Sequence, residues 1–253
     1  MTRRLWLGFF AAALATAMLL PAGGAWAARS ALLIGVGDYA HPSIPDLEGP
    51  PHDVEALARL LTGVWEVSPQ RLTVLKDSQA TRDNILKVLE NLTRTTKPGD
   101  FVFVYFSGHG TSVHSGGFES LDPHTGALLP HDFQPGSQAQ MISAVIVGKR
   151  DLRPIMARLD RDRQVLAVFD ACYSGNAIRA VGLQGAPRFY APRAVQDLTG
   201  GQPLKFGSQT RNEPPYPYQK VIYISASSQR EVARDIGHWL ISTGKKKTVD
   251  GRP

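Results

Sequence analysis

Cys172 is the only cysteine of the chain, and it closes an apolar run, Val165–Phe169, that reads as a β-strand. Asp170-Ala171 precede it and Ser174-Gly175 turn the chain just beyond, so the sulfur is expected at a sheet edge that a substrate can reach. A second segment has the same design: the apolar run Phe101–Phe106 is followed by Ser107-Gly108-His109-Gly110. Taken alone, a cysteine after a strand is commonly a small buried hydrophobe, and a histidine between glycines is commonly a loop residue. Two strands, one ending in His and the other in Cys, could set an imidazole beside a thiol. That pair is what nucleophilic catalysis needs, with the imidazole as the base that makes thiolate. Glycine at 108 and 110 lets other backbone approach without a Cβ in the way.

The elements that must hold these residues can be read in order. Ala31–Val36 is a first strand that turns at Gly35-Val36-Gly37-Asp38. Residues 41–51 carry four prolines and read as an irregular loop. Asp53–Thr62 places Val54, Leu57, Leu60 and Leu61 at helical spacing, and Arg71–Leu75 is a short strand. Thr81 caps a second helix lined by Ile85, Val88, Leu89 and Leu92, which Lys97-Pro98-Gly99 stops. Thr111–Gln140 has little periodicity and reads as a long loop with a short hairpin at Ala127–Pro130. Asp151–Leu159 is a short helix with Pro154 in its first turn, where proline is tolerated. Asn176–Lys220, with six Pro and five Gly, reads as an exposed linker, and Val221–Ser225 is a last strand. Unbroken apolar strands alternating with helices predict an α/β fold with a mostly parallel sheet covered on both faces. No third glycine opens a helix after Gly35-Val36-Gly37, which excludes a dinucleotide fingerprint.

SGHG followed by DACYSG resembles the caspase-like cysteine peptidases of the metacaspase type. ALLIGVGDY, the segment Leu47–Asp53 and the late strand VIYISASS fit the same pattern in order, so the resemblance spans about Ala31–Ser228. His precedes Cys in caspases by about 50 residues, close to the separation here. The resemblance implies a caspase-like three-layer fold and peptide-bond hydrolysis through an acyl-thioenzyme. It implies His109 and Cys172 as catalytic residues, with no third member required, and the N–H groups of Gly110 and Cys172 as oxyanion donors. It also implies cleavage after Arg or Lys, with Asp53 and Asp170 as the acidic lining of the pocket and Ser107 on its border; a carboxylate pair suits a guanidinium. Asp53 could instead cap its helix, and Asp170 could instead stabilise the turn. Many relatives are switched on by calcium. Here only Glu119, Asp122 and Asp132 lie in the corresponding loop, few for an ion that takes about 6–8 oxygens, so no metal or other cofactor is assigned. His114, His124 and His131 have no helical pairing or thiol partner and read as loop residues rather than zinc ligands. His52 stands where an Asn or Asp is expected, and the family's usual helix and last strand after the SASS segment are not visible, as if the domain were truncated. Loss of that strand leaves a monomer as the expected state.

Met1–Ala27 reads as an export signal: Arg3 and Arg4, the uncharged apolar run Leu5–Leu20, and Ala25-Trp26-Ala27 as a small-x-small cleavage site. An uncleaved membrane anchor is the alternative; a cleaved chain would be periplasmic or extracellular, with no membrane span left. The expected organisation is therefore signal 1–27, peptidase domain 28–236 and a polar basic tail 237–253. A formal charge of +6, scattered rather than striped, does not suggest a nucleic-acid partner; the expected partner is a polypeptide substrate. Basic residues in the linker, among them Arg179 and Arg188, suggest self-processing. The competing reading is a catalytically weak or inactive caspase-like scaffold.

Overall fold

The computed structural model describes residues 27–113, 115–122, 125–171 and 217–225, with the backbone of 186–187 and 234–235. Residues 1–26, within the expected export signal, most of the expected linker and residues 237–253 therefore lie outside the described residues. No helix among the described residues is long and apolar enough to cross a membrane.

Five strands form the central sheet: β1 (Arg29–Gly35), β2 (Leu72–Lys76), β3 (Phe101–Ser107), β7 (Gln164–Asp170) and β9 (Val221–Ser225), in the order β2-β1-β3-β7-β9. Every pairing is parallel. Between these strands run α1 (Gly49–Gly63), α2 (Arg82–Thr95), α3 (Gln138–Ala144) and α4 (Arg153–Asp160). The strands are apolar on successive residues because both faces are covered. On one face Ala31, Leu33, Phe103 and Tyr105 pack with Val54 and Leu61 of α1. On the other, Leu32, Ile34, Val102, Val104 and Phe106 pack with Ile85 and Leu89 of α2 and with Ile155 and Leu159 of α4. This is the predicted three-layer α/β arrangement.

Thr81 caps α2 as expected, its hydroxyl accepting the Asn84 N–H at 3.3 Å. Three local expectations need correction. First, α1 starts at Gly49 rather than Asp53, because Pro50 and Pro51 fall in its first turn, where no backbone N–H is needed. Second, Leu60 is 43% exposed and does not join the buried face. At about 100° per residue it lies some 120° around the helix from Val54. Third, the loop after β3 is folded: β4 (Gly110–Ser112), β5 (Gly126–Leu128) and β6 (Ile146–Val147) form an antiparallel sheet in the order β4-β5-β6. The expected hairpin at Ala127–Pro130 is replaced by pairing of β5 with segments on either side of it in sequence. A two-residue antiparallel pair, β8 (Ala186–Pro187) with β10 (Arg234–Asp235), completes the strands.

The edge strand β9 is docked by a carboxylate. Asp160, at the end of α4, accepts the N–H groups of Gln219 and Val221, each at 3.0 Å, and that of Lys220. Burial raises the Asp160 pKa, but these three N–H bonds outweigh it and leave the carboxyl below its ordinary value. On the α1 side of the β7–β9 pair Leu166 and Val168 are half-buried, while Ile222 and Ile224 are 63% and 49% exposed.

Candidate functional site

Chain order reverses between β1 and β3: the chain leaves β1 outward to β2 and returns across it to β3. In a parallel sheet a crevice forms at the carboxyl ends of strands flanking such a reversal. The residues following β1 and β3 meet at that edge, beside Asp170 at the end of β7.

Ser107 is the last residue of β3, fully buried, and its hydroxyl donates to Asp53 Oδ2 at 2.9 Å. Asp53 projects from the second turn of α1, and residue 48, not Asp53, occupies the N-cap. Helix capping is therefore not what Asp53 does. Asp170 is the last residue of β7 and the register partner of Ser107. Its carbonyl accepts the Gly108 N–H at 3.3 Å, one step past the paired strands. The structure thus gathers Asp53, Ser107 and Asp170 at one strand-end cluster.

His109 follows, with no exposed surface. Its Nε2 lies 2.7 Å from the carbonyl oxygen of Pro45. A carbonyl only accepts, so Nε2 carries the proton, and in the neutral ring Nδ1 is the nitrogen with the lone pair. The main chain of His109 is pinned as firmly: its N–H donates to the Tyr39 hydroxyl at 2.7 Å, and its carbonyl accepts the Leu129 N–H at 3.0 Å. In a trans peptide the C=O and the next N–H point in opposite directions. The Gly110 N–H is therefore directed away from β5, and Gly110 pairs with Leu128 at a non-hydrogen-bonded position of that ladder.

Cys172 lies outside the described residues. From Phe101↔Gln164 to Ser107↔Asp170 every β3 residue faces the β7 residue 63 positions later. His109 and Cys172 are separated by the same 63 positions.

Pro45 and Tyr39 were not singled out by sequence. Tyr39 falls within the ALLIGVGDY run, but a phenol that accepts a distant N–H leaves no local pattern. The Pro45 contact is a backbone carbonyl, which no residue type announces. Both belong to the segment after β1, and two glycines let that segment close in. A Cβ on Gly35 would lie 2.6 Å from the Pro50 carbonyl oxygen, and one on Gly37 would lie 2.6 Å from that of Leu47.

The acids considered for calcium do not converge. Asp122 pairs with Lys149, Asp132 accepts the Arg82 N–H at 2.8 Å, and Glu119 accepts from Gly117 N–H at 3.0 Å and Gln138 Nε2 at 2.6 Å. Among the described residues no group of three or more His, Cys, Asp or Glu could hold a metal ion. The His131 ring donates from Nδ1 to the Asp38 carbonyl at 2.7 Å, and His114 and His124 lie outside the described residues. A cavity of about 380 Å³ between Gly117–Glu119 and Gly136–Met141 is lined by none of the site residues.

A crystal structure of a protein from Geobacter sulfurreducens superposes with a TM-score of 0.53 over 82% of this chain and 76% of its own, at 16% identity, which is a likeness of fold. Similar sequences include Metacaspase-1 of Plasmodium falciparum, 31% identical over 158 residues, and Metacaspase-2 of Trypanosoma brucei brucei, 33% identical over 153 residues. These matches cover 59% and 58% of this chain but only 24% and 41% of those proteins. The model of the family described as "Metacaspase, peptidase C14 domain" matches residues 29–181, from the first residue of β1 through the strand ends that carry His109 and Asp170 and on past Cys172. With more than half its length matched, the chain belongs to the metacaspase peptidase C14 domain family.

Proposed function

We propose that the protein is a cysteine endopeptidase that cleaves polypeptides after Arg or Lys, with Cys172 as nucleophile and His109 as its acid–base partner. The observation that carries this reading is the shared offset: β3 and β7 pair 63 positions apart, and so are His109 and Cys172. Strands continued by two residues would bring the two side by side. The Pro45 carbonyl fixes the ring with Nδ1 as the nitrogen able to take the thiol proton.

The chemistry then runs in two displacements. Thiolate Sγ attacks the scissile carbonyl carbon, and the C–N bond breaks as the imidazolium gives its proton to the leaving amine. Water, deprotonated by the neutral imidazole, then hydrolyses the thioester and restores the thiol. The Gly110 N–H, directed away from β5, and the Cys172 N–H would hold the oxyanion in both steps. Asp53, oriented by Ser107, and Asp170 supply negative charge where a cationic side chain would enter.

The fate of the chain follows from the same reading. The enzyme would be exported, would act as a monomer, and would cut itself in the linker near Arg179 or Arg188. An unchanged full-length band after long incubation would remove the self-processing part. The main test is cleavage of fluorogenic peptides ending in Arg, Lys or Asp by the purified chain and by Cys172→Ala, with and without added calcium. Cleavage after Arg or Lys that vanishes in the variant is expected. Cleavage after Asp alone would keep the nucleophile and discard the acidic pocket. A folded chain that cleaves nothing would leave the scaffold reading in its place.

A further inference from the structure

We infer that Tyr39 is a positioning residue of the catalytic centre, acting through both the main chain and the ring of His109. The inference rests on the peptidase reading above.

Tyr39 is 5% exposed, and its hydroxyl oxygen accepts the His109 N–H at 2.7 Å across 70 residues of sequence. Its ring lies against the imidazole, with centroids 5.0 Å apart and planes tilted by 37°. Glycine at 108 makes this approach possible: a Cβ there would sit 3.1 Å from the Tyr39 hydroxyl oxygen and 3.1 Å from Phe106 Cζ. The hydroxyl orients the peptide that enters His109, and Leu129 orients the peptide that leaves it. Together they fix the imidazole and direct the Gly110 N–H away from β5. Tyr39 thus stands behind both the base and one oxyanion donor while touching no reacting atom.

Tyr39 is itself held. Its N–H donates to Asp46 Oδ1 at 3.1 Å. The chain just before it is tied to the end of β2, where Asp77 Oδ1 accepts the N–H groups of Gly37 at 2.8 Å and Asp38 at 2.9 Å. The chain just after it is tied to the loop beyond β5, where the His131 carbonyl accepts the Ala40 N–H at 3.0 Å. The same segment delivers the Pro45 carbonyl to His109 Nε2. One braced loop therefore sets the ring from two sides.

The test is Tyr39→Phe in the full chain, which removes one oxygen and keeps the ring contact. A displacement of about 1 Å in such a group costs on the order of 100-fold in rate. The expected result is a fall in kcat of roughly 10- to 100-fold, with KM for the same Arg-ending peptide held within about threefold. Iodoacetamide alkylation of Cys172, followed against pH, gives a readout that altered stability alone would not move. Its midpoint should shift upward, toward the ordinary thiol value of about 8.5, as the imidazole loses its place beside the sulfur. A variant with wild-type kcat and an unmoved alkylation midpoint overturns the inference, and so does one that loses only thermal stability. Should Tyr39→Phe fail to fold, Asp46→Ala, at an exposed residue, releases the Tyr39 N–H instead. It should move both readouts in the same direction by a smaller factor, and no movement overturns the inference. A wild-type chain that cleaves no peptide and whose thiol titrates normally defeats the peptidase reading itself, a separate outcome.

Discussion

Replacing Asp53 by Asn tests whether the strand-end carboxylates read a cationic side chain. The substitution keeps shape and keeps an oxygen able to accept the Ser107 hydroxyl, which now lies 2.9 Å from Oδ2. Asp53 is half-buried in α1, away from its cap, so folding should be little disturbed. What is lost is one negative charge at the proposed pocket. Truncating one partner of a buried charge pair costs about 2–5 kcal/mol, and partial exposure of Asp53 places it at the lower end, about 2–3 kcal/mol. At about 1.4 kcal/mol per factor of ten, kcat/KM on Arg-ending peptides should fall roughly 30- to 150-fold. A peptide with a neutral residue at that position should be cleaved as well by the variant as by the parent. Ser107→Ala removes the hydroxyl that orients the carboxylate, a loss of about 1 kcal/mol or roughly fivefold. Added to Asp53→Asn it should cost less than the sum, because the two side chains touch. The assay is kcat/KM on matched Arg, Lys and neutral peptides, with thermal melts of each variant. An equal loss on Arg and neutral peptides would refute charge recognition at Asp53. No loss on either would remove it from the pocket.

Two further outcomes follow from the packing around the site. In Gly37→Ala the new Cβ would meet the Leu47 carbonyl oxygen at 2.6 Å and Pro51 Cδ at 2.8 Å, forcing the Pro45 segment outward. Overpacking of this kind costs about 1–3 kcal/mol, so urea unfolding should shift by that amount, with activity falling further than stability; parental values in both would show that the close approach does not matter. Acid should also unfold the protein through Asp151. Burial raises that carboxyl's pKa, but bonds from the Arg150 side chain and the Val147 N–H at 2.7 Å, with the Arg82 charge, outweigh it and hold it below the ordinary carboxylate range. A depressed folded pKa means its stabilisation is complete above the unfolded carboxylate pKa and is lost as pH falls through the folded one. Asp151→Asn should lower the melting temperature near neutral pH and flatten its decline below about pH 4; an unchanged acid limb would show that other carboxylates carry it.

The strands were legible because each is an apolar run of ordinary length ended by glycine or a polar turn, and β1, β3 and β7 lie within a residue or two of where the pattern puts them. Periodicity failed where its assumptions did. The prolines of the α1 first turn looked like loop, and β4, β5 and β6, at two to three residues each, are shorter than any repeat that could reveal them. At the site, His109 was legible from its place just past an apolar strand and between glycines, Asp53, Ser107 and Asp170 only through the resemblance, and the backbone contacts not at all. The Pro45 carbonyl and the hydrogen-bonded face of His109 arise from contacts 64 and 70 residues apart in sequence.

The His-to-Cys interval is where sequence and structure come closest to the same statement. In a parallel pair the register is a fixed number, here 63, and any two residues separated by that number face each other if the strands run on. Chain length between the strands does not set that number by itself. It includes the β4–β6 sheet, α3 and α4, any of which could lengthen in a relative without moving the strand ends. What the proposed dyad requires to stay constant is the count from each strand: two past Ser107 to His109, and two past Asp170 to Cys172. A spacing rule written as an interval is therefore loose by construction, whereas one written as equal overhang from two paired strands is tight. On that second rule His109 and Cys172 stand at equal distances in sequence from the paired strand ends Ser107 and Asp170.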